Sequence, residues 1–285
     1  MSAASDFGHL SVLYHQSIEQ LAVQPQGRYI DCTLGGGGHS AGILALLGEG
    51  GVLYGFDKDQ DALAAASERL DQVNSPATYQ LIHRDFSEIA EACQDNQIPK
   101  VQGILADLGV SSWQLDQAER GFSYSHDGPL DMRMNQTAGE TAADLVNHAS
   151  EQELTRILTE YGEERYARRI SQAIIRHRAT QPFTTTGELA AVVRQAMPGQ
   201  GLKEAQHPAI TFHSLEDRLV KDAFRRWENP CTCPREFPVC ICGKKPIGRV
   251  ITRRPIIADD QEMKDNPRAR SAKLRVFETL HPEPA

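Results

Sequence analysis

The feature that most constrains the fold of this chain is an apolar segment followed by four consecutive glycines. Residues 29–34 have the composition of a buried strand, residues 35–38 are all glycine, and residues 40–47 have the apolar spacing of a helix, with Ser40 as a plausible cap. Glycine tolerates positive φ and lets the backbone approach a ligand closely, and a helix that begins after such a turn presents unpaired N–H groups. This order predicts a strand–turn–helix unit with a ligand at the turn.

Three further strands are predicted at residues 51–56, 78–83 and 101–108, each bounded by Gly, Asp or Pro. A second helix is predicted at residues 59–70, with Asp59 as its N-cap. Alternating strands and helices indicate a parallel sheet, and helices on both faces explain why the strands are almost continuously apolar. We therefore predict an α/β protein with a Rossmann-like sheet.

An acidic residue follows the second predicted strand, where it can accept hydrogen bonds from a ribose diol. Asp57 and the glycine turn are expected at the same carboxyl edge of the sheet, so both are expected to contact one nucleoside. The run Gly36-x-Gly38-x-x-Ala41 also matches the dinucleotide fingerprint. However, Asp31 at the end of the first strand would repel a pyrophosphate, whereas it could pair with the amino group of an amino-acid-bearing nucleoside. This favours S-adenosylmethionine over NAD.

Two more residues are predicted at this edge. Phe86 follows the third strand, where its ring could pack on adenine or simply belong to the core. Asp107 ends the fourth predicted strand, where a carboxylate could accept the exocyclic N–H of adenine.

The character of the chain changes after residue 113. A long polar loop at 114–135 is followed by predicted helices at 141–147, 150–161, 163–178 and 186–197, which we interpret as an inserted module. A predicted strand at 210–213 and a helix at 215–227 then return to the sheet. The expected division is a core at 1–113, a loop and helical module at 114–206, and a return to the core with a basic tail at 207–285.

The net charge of −8 argues against a nucleic-acid partner until its distribution is considered. Residues 235–275 carry eleven Lys and Arg against five acidic residues, a net charge of +6, which leaves −14 for the rest of the chain. This segment could contact an anionic partner, although a solvated tail fits the composition equally well. Five arginines recur at helical spacing. They could line an RNA channel together with the basic segment, or they could lie on a solvated helix face. They are Arg165, Arg168, Arg169, Arg176 and Arg178.

Four cysteines lie within twelve residues, at Cys231, Cys233, Cys240 and Cys242. Their number and compactness suit a tetrahedral structural zinc ion, although the Cys-x-Cys spacing is unusual and four reduced thiols are an equally good interpretation. No apolar stretch approaches roughly 18 residues, and no signal peptide precedes the first strand, so we expect a cytoplasmic protein without a membrane partner.

Several longer motifs make a resemblance specific. The chain resembles the ribosomal small-subunit RNA methyltransferase H family, also called MraW, and the similarity extends from near His9 to near Leu274. The motifs that carry it are Asp107-Leu-Gly-Val-Ser111, Asp127-Gly-Pro-Leu-Asp131-Met-Arg133-Met, Phe212-His-Ser-Leu-Glu-Asp-Arg218 and Asn266-Pro-Arg-Ala-Arg-Ser271.

The resemblance implies a class I methyltransferase fold and S-adenosylmethionine-dependent methylation of N4 of a cytidine in 16S rRNA of the small ribosomal subunit. It implies cofactor contacts from Gly37, Gly38, His39, Asp57, Phe86, Asp107 and Gln114. Of these, Gln114 comes from the resemblance alone. We make no prediction of the oligomeric state.

For catalysis we consider residues that could orient the cytosine amine, which is a poor nucleophile because its lone pair is delocalised into the ring. The hypothesis is that Asp131 or Ser111 orients N4 and that His213 lines the pocket. An equally simple interpretation is that Asp131 only pairs with Arg133.

One departure from the family pattern is large. Family members have a helix and a full strand between the His-Pro-Ala and Phe-His-Ser motifs, whereas here Ala209 joins directly to Ile210. The loss would leave apolar sheet surface uncovered unless the tail repacks there. It keeps open a second function class, a non-catalytic RNA- or ribosome-binding relative that retains the cofactor pocket.

Overall fold

The computed structural model describes residues 11–123, 126–197, 210–234 and 241–280. Four parallel strands form the central sheet in the order β3-β2-β1-β4. In the register, Ile30 of β1 lies beside Tyr54 of β2 and Ile104 of β4. The parallel α/β sheet predicted from the sequence is confirmed. The strands are β1 (Arg28–Asp31), β2 (Val52–Asp57), β3 (Thr78–His83) and β4 (Gly103–Leu105).

Helices cover both faces of this sheet, and two apolar clusters lie between. One cluster packs Tyr29 and Leu53 against Ile43 and Leu70, and the other packs Ile30 and Phe56 with Ala92. Neighbouring residues of a strand point to opposite faces, so a strand covered on both sides is apolar throughout. The helices are α1 (Tyr14–Leu21), α2 (Gly38–Leu46), α3 (Gln60–Leu70) and α4 (Ile89–Asp95).

The two predicted helix caps have different outcomes. Asp59 is the N-cap of α3, and its carboxylate accepts a hydrogen bond from Asp61 N at 3.1 Å. Ser40 lies inside α2, whose N-cap position is Gly37 with a φ of 74°. The left-handed turn therefore begins the helix, and the Ser40 hydroxyl hydrogen-bonds to Asp31 instead.

Among the described residues, the segment after the sheet forms a short helix and four longer ones, and the four helices predicted from the sequence are confirmed. Their core contains Leu130, Ile170, Ile174 and Phe183, and it is separate from the two clusters of the sheet. The boundaries proposed for the module, residues 114 and 206, stay a prediction. The helices are α5 (Ser112–Asp116), α6 (Ala142–His148), α7 (Glu151–Glu160), α8 (Ala167–Arg178) and α9 (Thr186–Ala196).

The strand predicted at residues 210–213 is wrong. These residues form the first turn of α10 (Ile210–Glu228). Their β-branched and aromatic side chains favour a strand only weakly, and the helix predicted at residues 215–227 extends back over them. The chain also does not rejoin the central sheet in the described ranges. Instead β5 (Gly248–Val250) pairs with β6 (Phe277–Thr279) in a separate antiparallel sheet. Within the described part of the chain no strand pairs with the outer edge of β4, where Ile104 is 56% exposed.

The basic tail packs near the N-terminal helix. Leu13 forms a cluster with Ala258 and Ala269, and Leu13 N donates a hydrogen bond to Glu262 of α11 (Asp260–Asp265). The tail thus packs beside α1, and its repacking over the sheet surface stays a prediction. No helix in the part of the chain that the structure describes combines the length and the apolar character that crossing a bilayer requires.

A buried ion pair joins the loop after α5 to the central sheet. Arg120 and Asp59 are 2% and 5% exposed, and Arg120 Nη2 lies 2.8 Å from Asp59 Oδ2. Arg120 Nη2 also donates to the carbonyl oxygen of Met134, and Gln114 Nε2 donates to the same carboxylate oxygen of Asp59 at 3.1 Å. Glycines permit this packing, since a Cβ on Gly121, where φ is +73°, would lie 2.3 Å from the oxygen of Pro129.

A second ion pair joins α10 to the tail. Arg275 Nε and Nη2 donate to the Asp217 carboxylate at 2.6 and 3.2 Å, and both side chains are largely buried. Burial alone would raise the pKa of Asp217, but the hydrogen bonds and positive charges of Arg275 and Lys273 outweigh burial and hold the pKa below its usual value.

We expect Arg120→Met to lower the free energy of unfolding by about 3 kcal/mol, because the Asp59 carboxylate would stay buried without its cation. Urea denaturation followed by circular dichroism measures the change. The matched control is Arg156→Met, since the partners of Arg156, Glu153 and Glu160, are exposed; we expect a change within about 0.5 kcal/mol. Equal losses in the two variants would contradict the special role of the buried pair.

We expect Asp217→Asn to destabilise the protein by about 2 kcal/mol at neutral pH, because Arg275 would lose its charged partner. A carboxylate whose pKa is lowered by folding contributes stability above its unfolded value, near 3.8, and loses that contribution as the pH falls through the lower folded value. The difference between wild type and variant should therefore shrink in acid. Thermal unfolding across pH tests this, with the exposed Asp222→Asn in the same helix as the control.

Candidate functional site

The glycine turn after β1 has the left-handed conformations that its sequence predicts. Gly35 and Gly37 have φ of +50° and +74°. Gly37 also packs closely on α3, since a Cβ there would lie 3.1 Å from the Cβ of Ala66. A side chain at Gly35 would meet only the oxygen of Thr33, at 3.9 Å, so the turn is open on that side. The N–H groups of Gly35 and Gly37 already donate to Asp57 and to the oxygen of Leu34, so a polar ligand could contact only the other N–H groups of this turn.

Asp57, at the end of β2, braces this turn. Its carboxylate accepts hydrogen bonds from Gly35 N at 2.8 Å and from Asp59 N at 2.9 Å, one on each oxygen. Each carboxylate oxygen can accept a further bond, so Asp57 can still bind a diol. Burial raises the pKa of Asp57 above its ordinary value, and the two backbone hydrogen bonds oppose that shift. The predicted convergence of the glycine turn and Asp57 is present in the structure.

Asp31 lies beneath the turn and is buried. Its oxygens accept hydrogen bonds from Ser40 Oγ at 2.7 Å and from Thr33 N at 3.1 Å. Burial raises its pKa, while Ser40 and Thr33 oppose the shift. The carboxylate therefore connects the end of β1 to the first turn of α2.

His39 carries the observation that most directly indicates a ligand. The side chain is 6% exposed, and its Nε2 atom has no hydrogen-bond partner within the described part of the chain. Its Nδ1 atom lies 3.9 Å from the Asp107 carboxylate, and its ring stacks on Tyr14 with centroids 6.0 Å apart. A buried polar atom without a partner is costly, so a bound group that satisfied it would be favoured. The ligand contacts of Gly37, Gly38 and His39 stay a prediction.

The next two strands place one aromatic and one acidic residue at the same edge. Phe86 begins a short turn of 3₁₀-helix after β3, and its ring is 40% exposed, which excludes the interpretation that it is only a core residue. A half-exposed ring can stack on a nucleobase. Asp107 follows β4, and its backbone N–H donates to Thr33 Oγ1 at 2.6 Å, which holds it beside the β1 turn.

Gln114 and Ser111 hydrogen-bond to each other. Ser111 Oγ accepts from Gln114 N at 3.2 Å, and Gln114 Oε1 accepts from Ser111 N at 3.0 Å. The Gln114 amide also donates to Asp59, as described above, and the side chain is buried. These contacts begin α5 and connect it to the end of β2. The ligand role of Gln114 and the catalytic role of Ser111 stay predictions.

Asp131 forms a two-pronged ion pair with Arg133. Arg133 Nε and Nη2 donate to the two carboxylate oxygens at 2.9 and 2.7 Å. The hydrogen bond from Arg133 is the main reason that the pKa of Asp131 lies below its usual value. Met132, between the two, has a φ of 60°, which is uncommon for a residue with a side chain. Asp131 therefore stays ionised, and the pairing considered from the sequence is present.

The remaining predicted residues are only partly described. His213 lies in the first turns of α10, but its side chain is outside the described residues. Cys240 lies outside them as well, whereas Cys231, Cys233 and Cys242 are close together. Within the described residues, Ser111 is connected to Asp59 only through Gln114, and no hydrogen bond joins Ser111 to Asp131.

Sequence reasoning missed Tyr14, which stacks on His39, and the burial of Arg120 with Asp59. Arginine and aspartate are typical of surfaces, so composition gives no signal for a buried pair. The only sequence signal for this burial was that Arg120 precedes a glycine in the long polar loop predicted at residues 114–135, since long loops in compact proteins are often functional.

The family profile described as "MraW methylase family" matches residues 6–210 and 209–280, in two segments that meet where the sequence pattern departs from the family. A "Ribosomal RNA small subunit methyltransferase H" from Symbiobacterium thermophilum is 44% identical over 311 residues, covering 96% of this chain and 97% of that protein. A protein with the same name from Ruminiclostridium cellulolyticum is 43% identical and covers 96% and 100%. A solved rRNA methylase from Streptococcus thermophilus overlaps 30% of this chain and 49% of its own, at 25% identity and a TM-score of 0.25, too low to bear on the fold.

The profile match covers most of the chain, and the similar proteins align with nearly all of it and of themselves. The chain belongs to the MraW methylase family.

Proposed function

We propose that the protein uses S-adenosylmethionine to methylate N4 of a cytidine in the 16S rRNA of the small ribosomal subunit. The observation that carries this proposal is the convergence, at one sheet edge, of the open glycine turn, the Asp57 carboxylate and the unsatisfied Nε2 atom of His39. The relatives named for methylation of small-subunit rRNA supply the substrate class. Cytosine N4 is the finer part of the proposal and comes from the family resemblance.

The residues present fit a nucleoside that carries an amino acid. Asp57 would accept the ribose hydroxyls, Phe86 would stack on the adenine, and Asp107 would accept its exocyclic N–H. Gly37, Gly38 and His39 would contact the amino-acid part. When bound, S-adenosylmethionine supplies an electrophilic methyl group. NAD fits less well because the buried carboxylate of Asp31 lies directly below the turn where a pyrophosphate would bind.

For the acceptor base, the protein must orient a weakly nucleophilic amine and remove its proton. Asp131 is kept ionised by Arg133, and a carboxylate with a lowered pKa is a good hydrogen-bond acceptor but a weak base. We therefore assign it the orientation of N4 by a hydrogen bond. His213 is proposed to line the pocket, and Ser111 is the alternative partner for N4.

Exposed basic residues supply a surface for RNA. Arg165, Arg168, Arg169 and Arg176 of α8 or its N-terminal flank are exposed, whereas Arg178 is half-buried and donates to the oxygen of Val146 at 2.8 Å. Four of the five predicted arginines are therefore exposed at the surface, where we propose that they contact phosphates. With the basic tail, they would bind RNA in a salt-dependent way although the whole chain is acidic.

A second candidate function is favoured by one observation. The outer edge of β4 lacks a partner strand in the described ranges, and Ile104 there is exposed. A protein shortened at this point could bind cofactor and RNA without catalysing transfer. This non-catalytic alternative differs from the first candidate in one measurable outcome, the transfer of a methyl group to the RNA.

Incubation with S-adenosylmethionine and small subunits that lack the mark should yield N4-methylcytidine in 16S rRNA, detected by mass spectrometry of nucleosides. We expect Asp131→Asn to lower kcat by about 100-fold while cofactor affinity is unchanged, because the orienting charge is lost. The control Asp95→Asn changes an exposed acid at the far end of α4 and should have wild-type turnover. Cofactor binding by the wild type without any product would select the non-catalytic alternative.

Cofactor affinity should depend on pH through Asp57. The ionised carboxylate accepts the ribose hydroxyls, and burial raises its pKa above 3.8, so the Kd should decrease as the pH rises from mildly acidic values and then level off. We expect Asp57→Asn to weaken binding at neutral pH by about tenfold and to remove this part of the pH dependence. Calorimetric titration measures both. An identical pH profile in wild type and variant would show that Asp57 does not contact the ligand.

A further inference from the structure

The cysteine-rich loop between α10 and β5 is separate from the nucleoside site. Cys231, Cys233 and Cys242 place their sulfur atoms within 4.8 Å of one another. We propose that these three cysteines bind one structural Zn²⁺ ion and that Cys240, which lies outside the described residues and is included from the sequence alone, is the fourth ligand. Four sulfurs at about 2.3 Å from one ion lie about 3.8 Å apart in a tetrahedron, so the three sulfurs need to move together by no more than about 1 Å. This proposal does not depend on the methyltransferase proposal.

The surroundings of the sulfurs suit a bound cation. Ile241 N donates a hydrogen bond to Cys233 Sγ at 3.3 Å. This contact holds the Cys233 sulfur beside the backbone that leads to Cys242. Four thiolates and Zn²⁺ would leave a charge of −2, which the adjacent Lys244 and Lys245 would offset.

The backbone brings the two ends of the loop together. Ile247 N donates to the oxygen of Trp227 at 3.1 Å, and Val250 N donates to Glu228 Oε1 at 2.9 Å. Below these contacts, Trp227 and Phe224 of α10 pack on Phe277 of β6. Because the ends are already joined, binding a metal across the loop requires little further loss of chain entropy.

Within the described part of this loop, little else would stabilise it. Ile241 is 74% exposed, and Gly243, which has a φ of +66°, faces open space where a side chain would be. Short segments without an apolar core commonly depend on a metal or a disulfide. A set of four sulfurs suits zinc or an iron–sulfur cluster, and in both cases the ion would hold the loop that presents Lys244 and Lys245.

Metal analysis of the full chain, purified with reductant and without added metal, tests the proposal. We expect about one zinc per chain, and replacement by Co²⁺ should give the absorption bands of tetrahedral thiolate coordination. Cys233→Ser and Cys242→Ser should each lose most of the metal. The control is Cys93→Ser, since Cys93 is a half-buried cysteine outside the loop. Less than a tenth of an equivalent of zinc, iron in its place, or equal zinc in all variants would overturn the proposal.

A second measurement on the wild type covers the case in which the serine variants do not fold. Titration with a mercurial reagent should release zinc in proportion to the thiols modified, with four thiols per ion. Chelation should increase hydrogen exchange in residues 241–250 but leave the exchange of β1 and β2 unchanged. Release of no zinc, or recovery of disulfides from the reduced protein, would contradict the site.

Discussion

The buried ion pair between Asp59 and Arg120 is the contact on which the arrangement of the site depends. Asp59 begins α3 as its N-cap, and the same carboxylate receives Arg120 and Gln114 from the loop that follows β4. Two residues earlier in the chain, Asp57 braces the glycine turn. The end of β2 therefore contacts both the glycine turn and the segment that carries Gln114 and Arg120. Removing one partner from such a pair leaves a buried charge, which is far more costly than losing an exposed pair.

Three side chains near the carboxyl edge of the sheet are desolvated, lack a hydrogen-bond partner or are only partly covered. Asp57 is half-buried and has a raised pKa, His39 has a buried ring nitrogen without a partner in the described residues, and the Phe86 side chain is 40% exposed. The desolvated carboxylate and the unsatisfied nitrogen each cost stability, whereas the exposed ring only buries less apolar surface. Asp131 differs from them, because Arg133 donates a hydrogen bond to each of its oxygens and holds its pKa below the usual value.

The departure from the family pattern at Ala209 and Ile210 has a visible counterpart in the fold. The outer edge of β4 has no partner strand in the described ranges, and α10 begins at Ile210 where a strand was expected. The tail instead packs beside α1 through Leu13, Ala258 and Ala269. The ion pair of Asp217 with Arg275 joins α10 to that tail. The C-terminal tail is thus held by its apolar contacts beside α1 and by the ion pair with α10.

The sequence by itself determined the alternation of the four sheet strands with α2 and α3, the glycine turn and the position of Asp57, because these follow from local conformation and from the period of apolar residues. The places of Phe86 and Asp107 after the third and fourth strands follow from the same pattern, and their ligand roles stay predictions. Only the tertiary structure decided that Arg120 is buried against Asp59, that Asp131 is paired with Arg133, and that residues 210–213 are helical. The burial of Arg120 depends on contacts between residues distant in the chain. The other two outcomes depend on which neighbouring residues or helix a segment joins. Burial and charge pairing produce no periodic pattern of residues, so the sequence does not predict them.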